Sequence, residues 1–128
     1  MSLTRAKVFL LAVALLAPAY AAAQWTQLGP EGGDVRTLEY DPKNPDRIFL
    51  GTSAGRLYVS QDGGASWAPF AHMQGDQMVL DNIALDPSDS RVMYVATWNA
   101  EAEGGVLFRT RDGGRSWQAL PGMHGKSI

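Results

Sequence analysis

The sequence predicts an all-β protein built from two copies of one four-stranded antiparallel unit. Three observations lead there. β-Branched and aromatic residues fall in short runs bounded by Gly, Pro, Asp and Asn; the runs recur twice in the same order; and few stretches keep a helical apolar period. Fourteen glycines and seven prolines in 128 residues supply the many turns that such a chain needs.

The repeat emerges when Val35–Phe70 is laid over Val79–Leu120. Tyr40-Asp41-Pro42 answers to Leu85-Asp86-Pro87, and Arg47–Thr52 to the run ending in Thr97, both at an offset of 45 residues. Leu57–Trp67 then answers to Leu107–Trp117 at an offset of 50, so five residues are inserted around Trp98–Gly105. In the first unit the four strands are expected at Val35–Tyr40, Arg47–Thr52, Arg56–Ser60 and Ser66–Phe70. In the second they are expected at Val79–Leu85, Val92–Thr97, Val106–Thr110 and Ser116–Leu120.

Four-stranded units recurring at about 45 residues are the signature of β-propeller blades, which stack face to face around an axis. Blade 1 is therefore expected over about 35–70 and blade 2 over about 79–120. A ring closes with about four to eight blades, so two make an incomplete propeller with two open faces. Trp25–Leu28 resembles the outer strands that begin at Trp67 and Trp117, and reads as an outer strand without its own blade. From Gly122 the chain reads as the approach to a truncated third blade, which marks the sequence as the N-terminal piece of a larger propeller.

Residues 1–23 read as a signal peptide. Arg5 and Lys7 precede the apolar run Val8–Leu16, and Ala21-Ala22-Ala23 offers a cleavage site before Gln24. Nine apolar residues are too few to span a bilayer, which needs roughly 20. A secreted or periplasmic product follows, with no membrane attachment after cleavage. The sequence has no cysteine, which excludes disulfides, thiolate metal sites and a cysteine nucleophile. A formal charge of -2 without a basic stripe gives no sign of a nucleic-acid partner.

Ser60-Gln-Asp62-Gly-Gly64-Ala-Ser-Trp67 and Thr110-Arg-Asp112-Gly-Gly114-Arg-Ser-Trp117 each lie between the third and fourth strands of a unit. The residue types suit a tight hairpin, in which the carboxylate accepts bonds from the turn's own amides, glycine takes positive φ and the indole covers the turn. A catalytic or calcium role for Asp62 or Asp112 fits less well, because each is a single acid and calcium takes six to eight oxygens. Both segments match the pattern Ser/Thr-x-Asp-x-Gly-x-x-Trp, and the chain resembles the Asp-box, or BNR-repeat, β-propellers over nearly all of Trp25–Leu120. That group includes sialidases, xyloglucanase-type glycoside hydrolases, sortilin-type receptors and the photosystem II stability and assembly factor-like proteins. The Gly29–Arg36 opening and the Gly51–Ser60 run look most like the last of these.

In such a blade the Asp-boxes share one rim with the first-to-second strand turns, and the connections Gly29–Asp34, Ser53–Gly55, Ala71–Met78 and Trp98–Gly105 share the other. Trp98, Asn99, Glu101 and Glu103 form the candidate ligand rim, since an aromatic beside acids suits a sugar face and its hydroxyls. The competing reading of this loop is a solvated hairpin extension. His72 and His124 are single imidazoles without a second ligand at metal spacing.

No catalytic residue is assigned, and neither a metal nor another cofactor is expected. Glycosidases need two carboxylates, which in propeller enzymes come from distant blades. The resemblance to xyloglucanases implies an acid directly after the Thr that closes the second strand of the opening blade, but Ser53 stands there, and Trp98 stands at the equivalent place in blade 2. A sialidase would need an arginine cluster, for which Arg36 is the sole candidate from an upper loop. The reading that results is an exported, non-enzymatic module that binds protein or glycan. The alternative is the N-terminal portion of a sialidase- or xyloglucanase-like hydrolase whose acids lie downstream. Open blade faces make self-association a further expectation.

Overall fold

The computed structural model describes residues 24–31 and 34–121; the expected signal peptide and the expected start of a third blade lie outside the described residues. Eight strands form in chain order: β1 (Val35–Asp41), β2 (Asn44–Thr52), β3 (Arg56–Ser60), β4 (Ala68–His72), β5 (Met78–Leu85), β6 (Met93–Asn99), β7 (Gly105–Thr110) and β8 (Gln118–Ala119). They make two antiparallel meanders, β1-β2-β3-β4 and β5-β6-β7-β8, as the repeat predicts.

The two sheets share not only their order but their register. Thr37↔Gly51, Leu38↔Leu50 and Tyr40↔Ile48 in the first recur, 45 residues on, as Asn82↔Ala96, Ile83↔Val95 and Leu85↔Met93 in the second. The register also shifts at the same place in both, between Val35 and Thr37 and between Leu80 and Asn82, so each innermost strand carries an extra residue at Arg36 and Asp81.

Strand ends depart from the expected ones where the turn claims a backbone amide. Ser66 and Ser116 were expected to open the outer strands, but their amides donate to the Asp62 and Asp112 carboxylates and leave the ladder. Thus β4 starts at Ala68, and β8 shrinks to two residues. At the first turn the strand starts earlier than Arg47, because Asn44 already pairs with Asp41. Trp25–Leu28 forms no strand. Its amides have no neighbouring strand to bond among the described residues, and its one link to the blade is the Leu28 carbonyl, which accepts from Trp67 Nε1.

Alternation along each strand decides what is buried. One face of the first sheet carries Phe49, Leu57 and Val59; one face of the second carries Leu80, Ile83, Val95 and Phe108. These faces meet and form the core, with Met73 and Met93. Phe70 adds an edge-to-face contact with Phe49 at 5.2 Å between centroids. Gly51 is the point of closest approach, where a Cβ would lie 2.7 Å from Thr37 Cγ2 and 2.8 Å from Leu80 Cβ. At one rim Asp41, 3% exposed, accepts from Ser90 Oγ of the second sheet at 2.6 Å, and Lys43 Nζ donates to the Ser88 carbonyl.

Candidate functional site

The two rims differ in chemistry. On the first, the Asp-box turns hold themselves. Ser60 Oγ accepts from Gly64 N at 2.8 Å and donates to Asp62 Oδ1 at 2.8 Å, while Ser66 N donates to the same carboxylate oxygen at 2.8 Å. Thr110, Gly114, Asp112 and Ser116 repeat this at 2.9, 2.8 and 2.9 Å. Gly64 and Gly114 sit at φ of 92° and 90°, where a side chain is strained. The Trp67 indole donates to the Gly64 carbonyl at 3.1 Å, whereas Trp117 Nε1 is buried and finds no acceptor among the described residues. Gly63 N bonds Asp46 O at 2.9 Å and Gly113 N bonds Arg91 O at 3.0 Å, which locks each Asp-box to the first turn of its own sheet.

The Ser66 hydroxyl, then the Ser66 amide and the Ser60 hydroxyl, hold the Asp62 carboxyl at about 2; Ser116 and Thr110 hold Asp112 at about 2 in the same way. Both oxygens of each carboxylate are engaged inside the turn. These folded-state values lie below the ordinary 3.8, so the ionised carboxylates contribute stability that is present above about pH 4 and lost as pH falls towards 2. Asp89, held at about 2 by the Arg91 side chain, adds to the same window. Thermal melts at descending pH are therefore expected to show Tm falling below about pH 4, with a smaller fall in Asp62→Asn. A Tm that stays flat down to about pH 2 contradicts this.

The opposite rim carries the longer connections. Met73 N bonds Gly55 O at 2.8 Å, Ser53 N bonds Asp34 O at 3.0 Å and Ala100 N bonds Gln77 O at 2.9 Å, so these loops brace one another. Asn99 Oδ1 accepts from Glu101 N at 2.8 Å and Ala102 N at 3.2 Å, which fixes the inserted loop. Between this loop and Gln74–Met78 lies a cleft of about 310 Å³ lined by Gln74, Gln77, Asn99 and Glu103, with Met78 and Val106.

The structure does not gather the four rim residues of the sequence into one site. Asn99 and Glu103 share the cleft, but Glu101 stays outside it. Trp98 lies in a separate hollow of about 330 Å³ with Asp81, Asn82 and Ala96. Trp98 and Asn99 are successive on β6, so their side chains take opposite faces. Gln74 and Gln77 were not singled out, because carboxamides on a loop follow no periodic pattern; their rim was placed, their partnership was not. His72 Nε2 lies 3.1 Å from Asp76 Oδ1, which Arg56 Nη2 also approaches at 3.5 Å, and His124 falls outside the described residues.

Two Asp-box turns on consecutive, register-matched blades are the geometry against which known families can be compared. The family model Sortilin-Vps10, described as sortilin, neurotensin receptor 3, matches residues 20–126. The chain belongs to the Sortilin-Vps10 family. This Sortilin-Vps10 chain is also 30% identical over 100 residues to an oligoxyloglucan-reducing end-specific xyloglucanase of Emericella nidulans, across 76% of the chain and 12% of that enzyme. Over 123 residues it is 29% identical to a xyloglucanase of Hypocrea jecorina, across 87% of the chain and 14% of that protein. The crystal structure of an ancestral GH74 enzyme superposes with a TM-score of 0.56 at 26% identity, covering 67% of this chain and 12% of that one. The chain thus spans 12–14% of the length of the two curated relatives.

These relatives correct the functional preference drawn from the sequence. The Sortilin-Vps10 chain resembles a segment of GH74 xyloglucanases, and the preference for a non-enzymatic assembly module is not supported.

Proposed function

We propose that this chain is a segment of a xyloglucan-acting glycoside hydrolase, and that it contributes the propeller scaffold and one wall of a glycan-binding cleft. The observation that carries the reading is the likeness to xyloglucanases over 76% and 87% of the chain. The upper-rim cleft agrees with it. Gln74 and Gln77 offer amides that both donate and accept, Asn99 offers its Nδ2 as a donor while its Oδ1 holds the loop, and Glu103 accepts, which suits a neutral, hydroxyl-rich ligand.

Ser53 occupies the place where the resemblance to xyloglucanases implies an acid, and a serine hydroxyl cannot act as a carboxylic acid does. The reading therefore gives this segment binding and positioning, with both reacting carboxylates supplied by chain outside the described residues. A polysaccharide substrate and the signal-like residues 1–23 together favour a secreted or periplasmic location. The likeness to photosystem II assembly factors rests on two sequence runs alone and does not enter the reading.

The complete gene product carrying this segment is expected to release new reducing ends from xyloglucan. Asn99→Ala is expected to raise KM roughly threefold to tenfold at unchanged kcat, as loss of a neutral hydrogen bond to bound substrate requires. A product that neither hydrolyses nor binds xyloglucan overturns the reading.

A further inference from the structure

We propose that Asp62-Gly63 and Asp112-Gly113 are latent isoaspartate sites, which the folded Asp-box turn keeps closed and which open when the turn comes apart. This inference concerns the chain itself and does not depend on the reaction proposed above.

The turn itself calls for the reactive pair. Gly63 and Gly113 lie at φ of 69° and 73°, where a residue with a side chain is strained. Glycine therefore follows aspartate in both turns, and these are the two Asp-Gly pairs of a sequence that has no Asn-Gly pair. A glycine amide is the least hindered backbone nucleophile. In a free chain its deprotonated nitrogen attacks Cγ of the preceding aspartic acid; the N–Cγ bond forms, the carboxyl loses its hydroxyl as water, and a five-membered succinimide remains. Water then adds at one of the two ring carbonyls. Breaking the N–Cγ bond restores aspartate, whereas breaking the bond from nitrogen to the main-chain carbonyl carbon gives isoaspartate, with the chain running through Cβ and Cγ. The water lost in the first step returns in the second, and nothing is oxidised or reduced.

The folded turn withholds both reactants. Gly63 N donates to Asp46 O at 2.9 Å and Gly113 N to Arg91 O at 3.0 Å, so each nucleophile is engaged by the first turn of its own sheet. The carboxylates are turned elsewhere. Asp62 Oδ1 accepts from Ser60 Oγ and from Ser66 N, each at 2.8 Å, and Oδ2 accepts from Ser66 Oγ. Thr110 and Ser116 hold Asp112 in the same way. The same bonds keep both carboxyls at about 2, hence ionised at neutral pH, whereas ring closure expels water readily only from the acid.

Isoaspartate lengthens the main chain by one carbon and sets its free carboxylate directly on Cα. The path from Ser60 to Ser66 and the arm that bridges them both change length, so an isomerised blade does not re-form the same turn. The residue that holds the hairpin thereby records its opening.

The complete gene product carrying this segment is to be incubated at neutral pH, folded and in concentrated guanidinium chloride. Its peptides are then mapped for succinimide and isoaspartate, the latter also by methylation with an isoaspartyl methyltransferase. Isoaspartate is expected at residues 62 and 112 in denaturant, and at least about tenfold more slowly in the folded protein, as release of one hydrogen bond to a charged group alone requires. Ser66→Ala is expected to raise the folded-state rate at Asp62 roughly threefold to tenfold while Asp112 keeps its own, and Ser66→Thr, which retains the hydroxyl, to stay near wild type. Should Ser66→Ala lose its β circular-dichroism spectrum, Ser116→Ala, read at Asp112 against Asp62, makes the same test. Equal rates in the folded and the denatured protein overturn the proposal, as does a denatured protein that forms no isoaspartate. So does a folded Ser66→Ala whose rate at Asp62 is unchanged.

Discussion

Phe49→Ala is expected to lower folding stability by about 3–5 kcal/mol, the range for removing a fully buried phenylalanine. Phe49 is 0% exposed and stands at the centre of the contact between the sheets. Its ring meets Phe70 edge on, and the Arg47 guanidinium lies 4.9 Å from its centroid. The strands on either side are backbone-paired, which limits how far the site can collapse around the missing ring. Domains of this size have marginal stability, so this loss approaches the total. Urea midpoints of wild type, Phe49→Leu and Phe49→Ala, taken at one protein concentration, are expected to fall in that order. A loss below about 1 kcal/mol for the alanine variant would place Phe49 outside the core.

Asp41→Ala is expected to cost about 3 kcal/mol, at the lower end for breaking a buried ion pair from one side. Burial pushes the Asp41 carboxyl up, but bonds from Ser90 and the Lys43 amide, with Arg47, outweigh it and hold it below its ordinary value. Alanine would leave the Ser90 hydroxyl without its acceptor and Arg47 without its counter-charge at 3.5 Å, beside an Arg47 Nε that already has no partner among the described residues. A double-mutant cycle with Ser90→Ala is expected to give a coupling of at least about 0.5 kcal/mol, and additive losses would show that the bond does not join the sheets.

The fold was largely legible because its determinants are local and repeated. The 45-residue offset and the matched Asp-boxes located all eight strands, since turn residues and period-two patterning act within a few positions. Strand ends were less legible at Ser66 and Ser116, where a side-chain acceptor competes with the ladder for the amide. The four rim residues singled out in the sequence divide between two hollows and open solvent. Trp98 and Glu103 lie near each other in the chain, yet strand alternation sends Trp98 to the other face of the sheet and leaves Asn99 to face the cleft. That separation follows from extending the second strand of blade 2 through Asn99, two residues beyond the expected end at Thr97. The approach of Gln74 and Gln77 to Asn99 depends on how two loops fold over the sheet, and no spacing encodes it.

The extra residue that each innermost strand carries at Arg36 and Asp81 bears on how such a molecule can diversify. β1 and β5 are the strands through which the sheets approach each other most extensively, so both residues stand on the strands that join the two sheets. Both are exposed, and they carry opposite charges at equivalent positions. A bulge frees its side chain from the pairing that constrains its neighbours. The charge at this position can therefore change sign from one repeat to the next, while the residues buried between the sheets keep their apolar character.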